Sequence, residues 1–413
     1  MKLGIPAETR PSETRVAATP ETVKTYVGLG AEVSVVSGAG AGAGLPDGAF
    51  AEAGAQVAAD AAQAVRDADL VLAVRRPPAA ALAGVRPGAL VIAIMDPYGA
   101  EAALQELAGA GVTAFAMELM PRITRAQVMD VLSSQANLAG YRAVIEGAAA
   151  YGRALPMMMT AAGTIPAARL FVMGAGVAGL QAIATARRLG AVVSATDVRP
   201  AAKEQVESLG AKFIAVEDEE FRQAETAGGY AKEMSAEYRE KQAALVAAHI
   251  AKQDIVVTTA LIPGRPAPRL VSRAMVEAMR PGSVIVDLAV ERGGNVEMAK
   301  PDEVVTHQGV TIVGYLNMPG RLAATASSLY ARNLAAFVAT LVDKDAKRLA
   351  VNWDDELVRA TCLTSDGAVV HPAFRPADAA ASPAAASPAA ETPAAAAPAV
   401  PAGARVHPAG GTP

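Results

Sequence analysis

Residues 170–200 read LFVMGAGVAGLQAIATARRLGAVVSATDVRP, and this stretch decides the fold. An apolar run at 170–173 is followed by a glycine-rich turn at 174–179, a helix-forming segment and a second β-branched run that ends at Asp197. Strand, glycine turn, helix, strand and acidic residue in this order predict a dinucleotide-binding βαβ unit.

The glycines of this turn have separate physical roles. Gly174 permits the tight turn from strand to helix, Gly176 lets a pyrophosphate approach the backbone, and Gly179 allows the helix to pack closely on the strand. The N-terminus of the following helix offers free N–H groups and a positive dipole end to phosphate. The predicted phosphate-binding residues are Gly174, Ala175, Gly176, Val177, Ala178 and Gly179.

Asp197 is expected to accept hydrogen bonds from the adenosine ribose, with Val198 and Arg199 beside the same part of the cofactor. Its negative charge would repel a 2′-phosphate. The sequence therefore predicts NAD, as NADH or NAD⁺, as the cofactor of this unit.

Composition limits the remaining classes. The chain has 413 residues, enough for two domains, and 52% of them are hydrophobic. A net charge of -4 and few aromatic residues argue against binding to nucleic acid. Cys362 is the only cysteine and the four histidines are scattered, so neither a disulfide nor a metal site is expected. The sequence has neither a signal peptide nor an apolar span of membrane length, which predicts a soluble cytoplasmic protein.

The pattern along the chain predicts an α/β fold with two doubly wound parallel-sheet, Rossmann-like domains separated by a cleft. Strands and helices alternate in the first third, with a glycine-rich loop at 38–48, and a long helix is expected at 127–151. The expected division is 1–135 plus 321–375 for the first domain, 136–320 for the NAD-binding domain and 376–413 for a disordered Ala/Pro-rich tail.

Residues 217–253 form a connection longer than a strand–helix link requires. Such segments are functional lids or disordered loops. Gly229 beside Tyr230 favours a hinged lid over the nucleotide.

A second polar constellation follows Pro121, where Arg122, Gln127, Asp130 and Ser133 lie close together in the sequence. Pairing of Arg122 with Asp130 would leave Gln127 and Ser133 to bind a nicotinamide carboxamide. The alternative is a solvated helix start with local ion pairs. The chain also lacks a His in a polar cluster, so direct hydride transfer between two nicotinamide rings, which moves no accompanying proton, fits better than oxidation of an alcohol or amine.

At residues 1–341 the chain resembles the NAD(H)-binding component, domain I, of proton-translocating NAD(P) transhydrogenase. The resemblance rests on several motifs in combination, namely SETRVAATP, MDPYGA, MELMPRITRAQ, MDVLSSQANLAGY, FVMGAGVAGLQ, GGYAKEMS, VIVDLAVERGGNVE and GYLNMPGRLAATASS. It implies that the loop with Arg122, Gln127, Asp130 and Ser133 faces the nicotinamide and the incoming partner domain. It also implies that Tyr230 lies on a mobile loop that closes over the nucleotide.

The resemblance further implies a homodimer that takes part in a Re/Si-specific, proton-translocating transhydrogenase reaction. Hydride passes to NADP(H) bound on a partner subunit, and a membrane-embedded partner couples the transfer to proton movement. Neither partner domain is expected within this chain, which is similar to the separate soluble subunit of a split enzyme. Its expected location is the cytoplasm, peripheral to the inner membrane.

Two alternatives remain. The chain also resembles alanine dehydrogenase, in which an arginine at the position of Arg15 and a lysine near a proline bind substrate and a histidine moves a proton. Here Arg75 and Arg76 precede Pro77, and residues 94–99 contain no histidine, which disfavours that activity. The third possibility is a non-catalytic nucleotide sensor with the Ala/Pro tail as a tether.

Overall fold

The computed structural model describes residues 1–223 and 234–375, and its strands belong to two large sheets and two small hairpins. In chain order the strands are β1 Lys2–Ile5, β2 Glu32–Val36, β3 Gln56–Ala58, β4 Leu70–Arg75, β5 Leu90–Ile94, β6 Thr113–Ala116, β7 Met158–Thr160, β8 Gly163–Ile165, β9 Arg169–Met173, β10 Val192–Thr196, β11 Lys212–Phe213, β12 Ile255–Thr258, β13 Val284–Asp287, β14 Val304–His307, β15 Val310–Val313, β16 Val342–Asp343, β17 Arg348–Leu349, β18 Cys362–Ser365 and β19 Ala368–Val369.

Helices connect most of the parallel strands. They are α1 Pro20–Gly28, α2 Asp47–Glu52, α3 Ala61–Val65, α4 Glu101–Gly109, α5 Val131–Ala150, α6 Val177–Arg188, α7 Ala202–Ser208, α8 Glu219–Arg222, α9 Ala236–Ile250, α10 Arg273–Glu277, α11 Ala323–Val338 and α12 Glu356–Thr361. Among these described helices, none has both the length and the apolar character needed to cross a bilayer.

The first sheet has the strand order β19-β18-β6-β5-β4-β1-β2-β3. Strands β1 to β6 are parallel, and β18 returns from the C-terminal part of the chain to pair antiparallel with β6. The order of connection reverses between β1 and β4. At such a switch point the loops at the carboxyl ends of the strands diverge and leave a crevice.

The second sheet has the order β11-β10-β9-β12-β13-β15-β14, parallel except for β14. Its switch point lies between β9, which precedes the glycine turn, and β12. Both sheets are buried on two faces by helices, which explains their continuous apolar strands. The predicted α/β architecture with two doubly wound parallel sheets is confirmed. On this topology we propose the domain division given above.

Helix α5 links the two halves, and its sequence explains both its start and its packing. The Asp130 side chain caps the helix by accepting the N–H of Ser133. Halfway along, Gly140 lies against the backbone of α6, where an added Cβ would stand 2.0 Å from the carbonyl oxygen of Ala178. Glycine is therefore required for this close approach.

Three sequence expectations need correction. The long helix begins at Val131 rather than at residue 127, because Asp130 caps it and Thr124–Met129 forms a separate 3-10 turn. The segment 38–48 is not wholly irregular, since it holds the 3-10 turn Ala41–Ala43 and the first residues of α2. Much of 217–253 is helix, because α9 is the crossover into β12. Gly229, Tyr230 and the tail at 376–413 lie outside the described residues.

We expect Gly140→Ala to destabilise the protein by about 1–3 kcal/mol, because a methyl group at this position overlaps the Ala178 carbonyl and forces α5 away from α6. Gly109→Ala is the matched control, since nothing lies within 4 Å of a Cβ at that helical glycine. Urea unfolding measures both variants. Equal stabilities for the two would contradict the proposed close packing.

Candidate functional site

The glycine turn after β9 has the geometry of a dinucleotide site. Gly174 has a φ of +104°, and a Cβ on Gly179 would stand 1.8 Å from the Gly174 carbonyl oxygen. The turn therefore excludes side chains at both positions. Gly176 is exposed at the N-cap of α6, where no side chain caps the helix. Its free backbone N–H groups and the helix dipole suit a pyrophosphate.

Asp197 lies at the end of β10, as predicted, but its carboxylate is already engaged. It accepts the N–H of Ala175 at 2.7 Å and the backbone N–H and Nε of Arg199, each at 2.9 Å. Burial acts to raise the pKa of Asp197, but the Arg199 bonds and charge and the Ala175 N–H outweigh it and lower the pKa. Asp197 thus supports the turn and holds Arg199 beside the predicted ribose position, a pairing that the sequence analysis did not anticipate.

The second predicted group lies on the surface before α5. Arg122 and Gln127 are exposed, and Gln127 belongs to the 3-10 turn Thr124–Met129. The predicted pairing of Asp130 with Arg122 is wrong, because both Asp130 oxygens accept bonds from Ser133, one from the backbone N–H and one from the hydroxyl. Asp130 therefore orients the Ser133 hydroxyl.

Helix α5 connects the two predicted groups. Ser133 lies seven residues before Gly140, which is about 10 Å along the helix axis. Because Gly140 contacts Ala178 of the glycine turn, Ser133 lies within reach of half of an extended dinucleotide whose pyrophosphate occupies that turn.

Sequence analysis missed a buried charge cluster at the switch point of the first sheet. Glu13 accepts bonds from Arg15 at 2.6 and 2.7 Å and from Arg75 at 2.9 Å. Arg15 is only 2% exposed and donates its remaining bond to Gln135 at 2.8 Å. Burial raises the pKa of Glu13, but the two guanidinium groups prevail and hold it at about 2.

Glu8 belongs to the same cluster and titrates differently. Its carboxylate accepts the N–H of Val74 at 2.6 Å, just where β4 ends. Burial raises the pKa of Glu8 to about 7, and the negative charge of Glu13 adds to this rise, against the lowering effect of the backbone bonds. The only sequence signal for this residue was a carboxylate directly after the first strand.

Asn317 joins the cluster to the second sheet. Its backbone N–H donates to Glu291 at 2.6 Å, and its side-chain amide donates to the Ser12 carbonyl at 2.8 Å and to Glu13 at 3.0 Å. Asn317 has a φ of +46° and is buried. The carboxyl edges of both sheets therefore meet around this residue.

The described histidines make structural contacts. His249 bonds to Ser194 and packs edge-on against Phe171, and His307 bonds to Glu277. His371 packs near Phe374. None of these three contacts the glycine turn or the Glu13 cluster through a bond that the described residues show, so the groups around the cleft offer carboxylates and guanidinium groups instead of an imidazole.

Comparison with known proteins gives consistent matches over most of the chain. Residues 4–139 match the model of the alanine dehydrogenase/PNT N-terminal domain, and residues 143–372 match that of the C-terminal domain. The first of the separate chains that make up the NAD(P) transhydrogenase alpha subunit of Rhodospirillum rubrum is 57% identical over 90% of this chain and 98% of its own length. Alanine dehydrogenase of Halomonas elongata is 31% identical, covering 90% of this chain and 95% of its own.

A solved structure, the transhydrogenase from Sinorhizobium meliloti, superposes with a TM-score of 0.82 at 64% identity. The match covers 90% of this chain and all of that one.

The Glu8 titration predicts a pH-dependent stability. Between about pH 4.5 and 7 the folded state binds more protons at Glu8 than the unfolded state, so the free energy of unfolding falls as pH rises through this window. Glu8→Gln removes that loss, so its stability relative to the parent should increase from about pH 5 to about pH 7.5, by at most about 1.4 kcal/mol per pH unit. Urea denaturation at both pH values measures the difference. A pH-independent difference would contradict the raised pKa.

Proposed function

The chain belongs to the alanine dehydrogenase/PNT family, and we propose that it is the NAD(H)-binding subunit of a proton-translocating NAD(P) transhydrogenase. The observation that carries this proposal is the exposure of the predicted nicotinamide site. Gln127 is exposed, and Asp130 and Ser133 are half-buried beside it. A ring bound there would remain open to a second nucleotide on another protein.

The chain's own residues would bind and orient the cofactor. Gly174, Gly176 and Gly179 leave room for the pyrophosphate at the start of α6. Gln127 and the Ser133 hydroxyl would hold the carboxamide, while Asp130 fixes the direction of that hydroxyl. NADH supplies the hydride. Because this transfer moves no accompanying proton, proximity and orientation are sufficient, and Arg122 at the rim would meet the incoming partner.

We propose that NADP⁺ accepts the hydride while bound to a partner subunit, and that a membrane-embedded subunit couples the transfer to proton translocation. The chain would then work in the cytoplasm, attached to the inner membrane only through these partners. The Rhodospirillum rubrum relative, which is named as one portion of a divided subunit, supports this assignment.

A homodimer is supported by the hairpin formed by β7 and β8. All six residues of these two strands are exposed, and the segment carries Met157 at 62%, Met158 at 40% and Met159 at 80% exposure. Ile165 adds a further apolar side chain, 39% exposed. Apolar residues concentrated on a projecting hairpin favour burial against a second copy.

Alanine dehydrogenase activity is the second candidate, favoured by the 31% identical relative. The residues at the expected substrate positions argue against it. Arg76 donates to the carbonyl oxygen of Asp96 at 2.9 Å, and Asp96 pairs with Arg292, where that activity needs a free cation and a histidine. Formation of pyruvate from alanine and NAD⁺ by this chain alone would decide for the dehydrogenase.

Reconstitution tests the proposed function directly. The full chain is mixed with membrane vesicles that carry an NADP-binding transhydrogenase partner, and transfer of deuterium from C4-labelled NADH to NADP⁺ is followed. We expect transfer only in the mixture. Nucleotide binding without any transfer in the mixture would favour the sensor alternative.

Asp197→Ala should weaken NADH binding by about 1.5–3 kcal/mol, because a charged acceptor is lost. It should also relax discrimination against NADPH, since the positive Arg199 would no longer face a carboxylate at 2.9 Å. Asp197→Asn is the matched control, since it removes the charge and keeps an acceptor for the Ala175 N–H. Fluorescence titration measures both nucleotides. Unchanged affinity for both would show that Asp197 does not face the cofactor.

Gln127→Asn should slow hydride transfer far more than it weakens NADH binding, because a shorter amide moves the carboxamide and tilts the ring. Stopped-flow measurement of transfer in the reconstituted mixture, together with an NADH titration, separates the two effects. Gln205→Asn, an exposed position on α7, is the control. Equal losses in rate and affinity would remove the orienting role of Gln127.

A further inference from the structure

We infer that Asp96 and Tyr98 form an interdomain clasp that sets the width of the cleft and positions the bound nucleotide. The clasp lies on residues 95–99, between β5 and α4, in the segment where the alanine dehydrogenase resemblance places a proton-transfer histidine. The inference rests on the proposed binding of NAD(H) in the cleft. It assigns Asp96 and Tyr98 as positioning residues, which act through the second sheet and not on the reacting atoms.

The clasp segment is held firmly to the first sheet. The buried Glu118 accepts the backbone N–H groups of Met95 and Asp96. Arg76 donates from the other side to the carbonyl oxygens of the same two residues. Asp96 is fixed at a φ of +48°, a left-handed conformation that Asp tolerates better than most residues. The two ends of this short segment therefore cannot drift independently of the first sheet.

Two contacts cross from this segment to the second sheet. The Asp96 carboxylate accepts a bond from the guanidinium of Arg292, which ends the 3-10 turn after β13. The ring of Tyr98 lies on the backbone of Gly264, where an added Cβ would stand 2.5 Å from the ring. Phe374 meets the same tyrosine edge-on, with ring centroids 5.0 Å apart. A charge contact and a packing contact thus act in parallel.

The residues that the clasp grips belong to the cofactor edge of the second sheet. Gly264 lies in an arch, residues 259–268, which begins at the glycine turn, where the Thr259 hydroxyl donates to the Gly174 carbonyl at 2.9 Å. The N–H of Ala267 donates to the Arg292 carbonyl at 2.8 Å, so the arch and Arg292 move together. Asn295 bonds both the N–H and the carbonyl of Ala260.

The consequence is mechanical. A clasp that holds the arch also holds the glycine turn at a fixed separation from Gln127 and Ser133, which would bind the other end of the nucleotide. Loss of the clasp should widen the cleft and weaken NADH binding while both sheets stay folded, because neither Asp96 nor the Tyr98 ring is part of a buried core.

Hydrogen–deuterium exchange and NADH titration on the full chain test the clasp. Asp96→Asn, Arg292→Gln and Tyr98→Ala should each accelerate exchange in the arch and weaken NADH binding by about two- to fivefold, the range of an exposed contact, with an unchanged melting temperature. The double variant Asp96→Asn with Arg292→Gln should be no worse than either single variant, because both remove the same bond.

Two variants serve as controls. Tyr98→Phe keeps the ring on Gly264, and Glu21→Gln breaks a separate exposed pair with Arg332, 2.8 Å long. Both should leave arch exchange and NADH affinity unchanged. The clasp is refuted if arch exchange stays at the parental rate in Tyr98→Ala, or if the effects of the Asp96 and Arg292 variants add. Failure of the parent chain to bind NADH would refute the proposed function instead, and the exchange data would still decide on the clasp.

Discussion

The close approach of backbone to backbone around the glycine turn is the constraint on which the rest of the structure depends. Gly179 contacts the Gly174 carbonyl, and Gly140 of α5 contacts the Ala178 carbonyl, at distances that leave no room for a Cβ at either glycine. These contacts draw α5 and α6 together and place Ser133 at a fixed reach from the turn. The helix that links the two halves of the chain is thereby also the element that relates the predicted phosphate and nicotinamide sites.

Electrostatics completes the cleft. The switch point of the first sheet carries Glu13, held ionised between Arg15 and Arg75, and Asn317 ties this cluster to the second sheet. A buried ion pair of this kind contributes little net stability but makes the loss of one partner costly. It therefore specifies how the two carboxyl edges meet, while the glycine turn on the facing edge remains open for an anionic cofactor.

Much of the fold could be predicted because the signals were local. The order of strand, glycine turn, helix and Asp197 lies within one continuous stretch, and Thr19 followed by Pro20 announced α1 with its cap. The site was less predictable because its bonds join distant residues. The pairs Glu8 with Val74 and Asp96 with Arg292 are 66 and 196 residues apart, and the Asp130 bond to Ser133 depends on a helix boundary, which sequence patterns define poorly.

The central claim is that the cleft presents a nicotinamide ring to a second nucleotide and not to a small metabolite. A crystal structure of the chain soaked with NADH tests it most directly. Our account places C4 of the ring at the open surface beside Gln127 and Ser133, with the pyrophosphate on residues 174–179. A ring enclosed by protein on both faces, with a small organic acid bound next to C4, would contradict it.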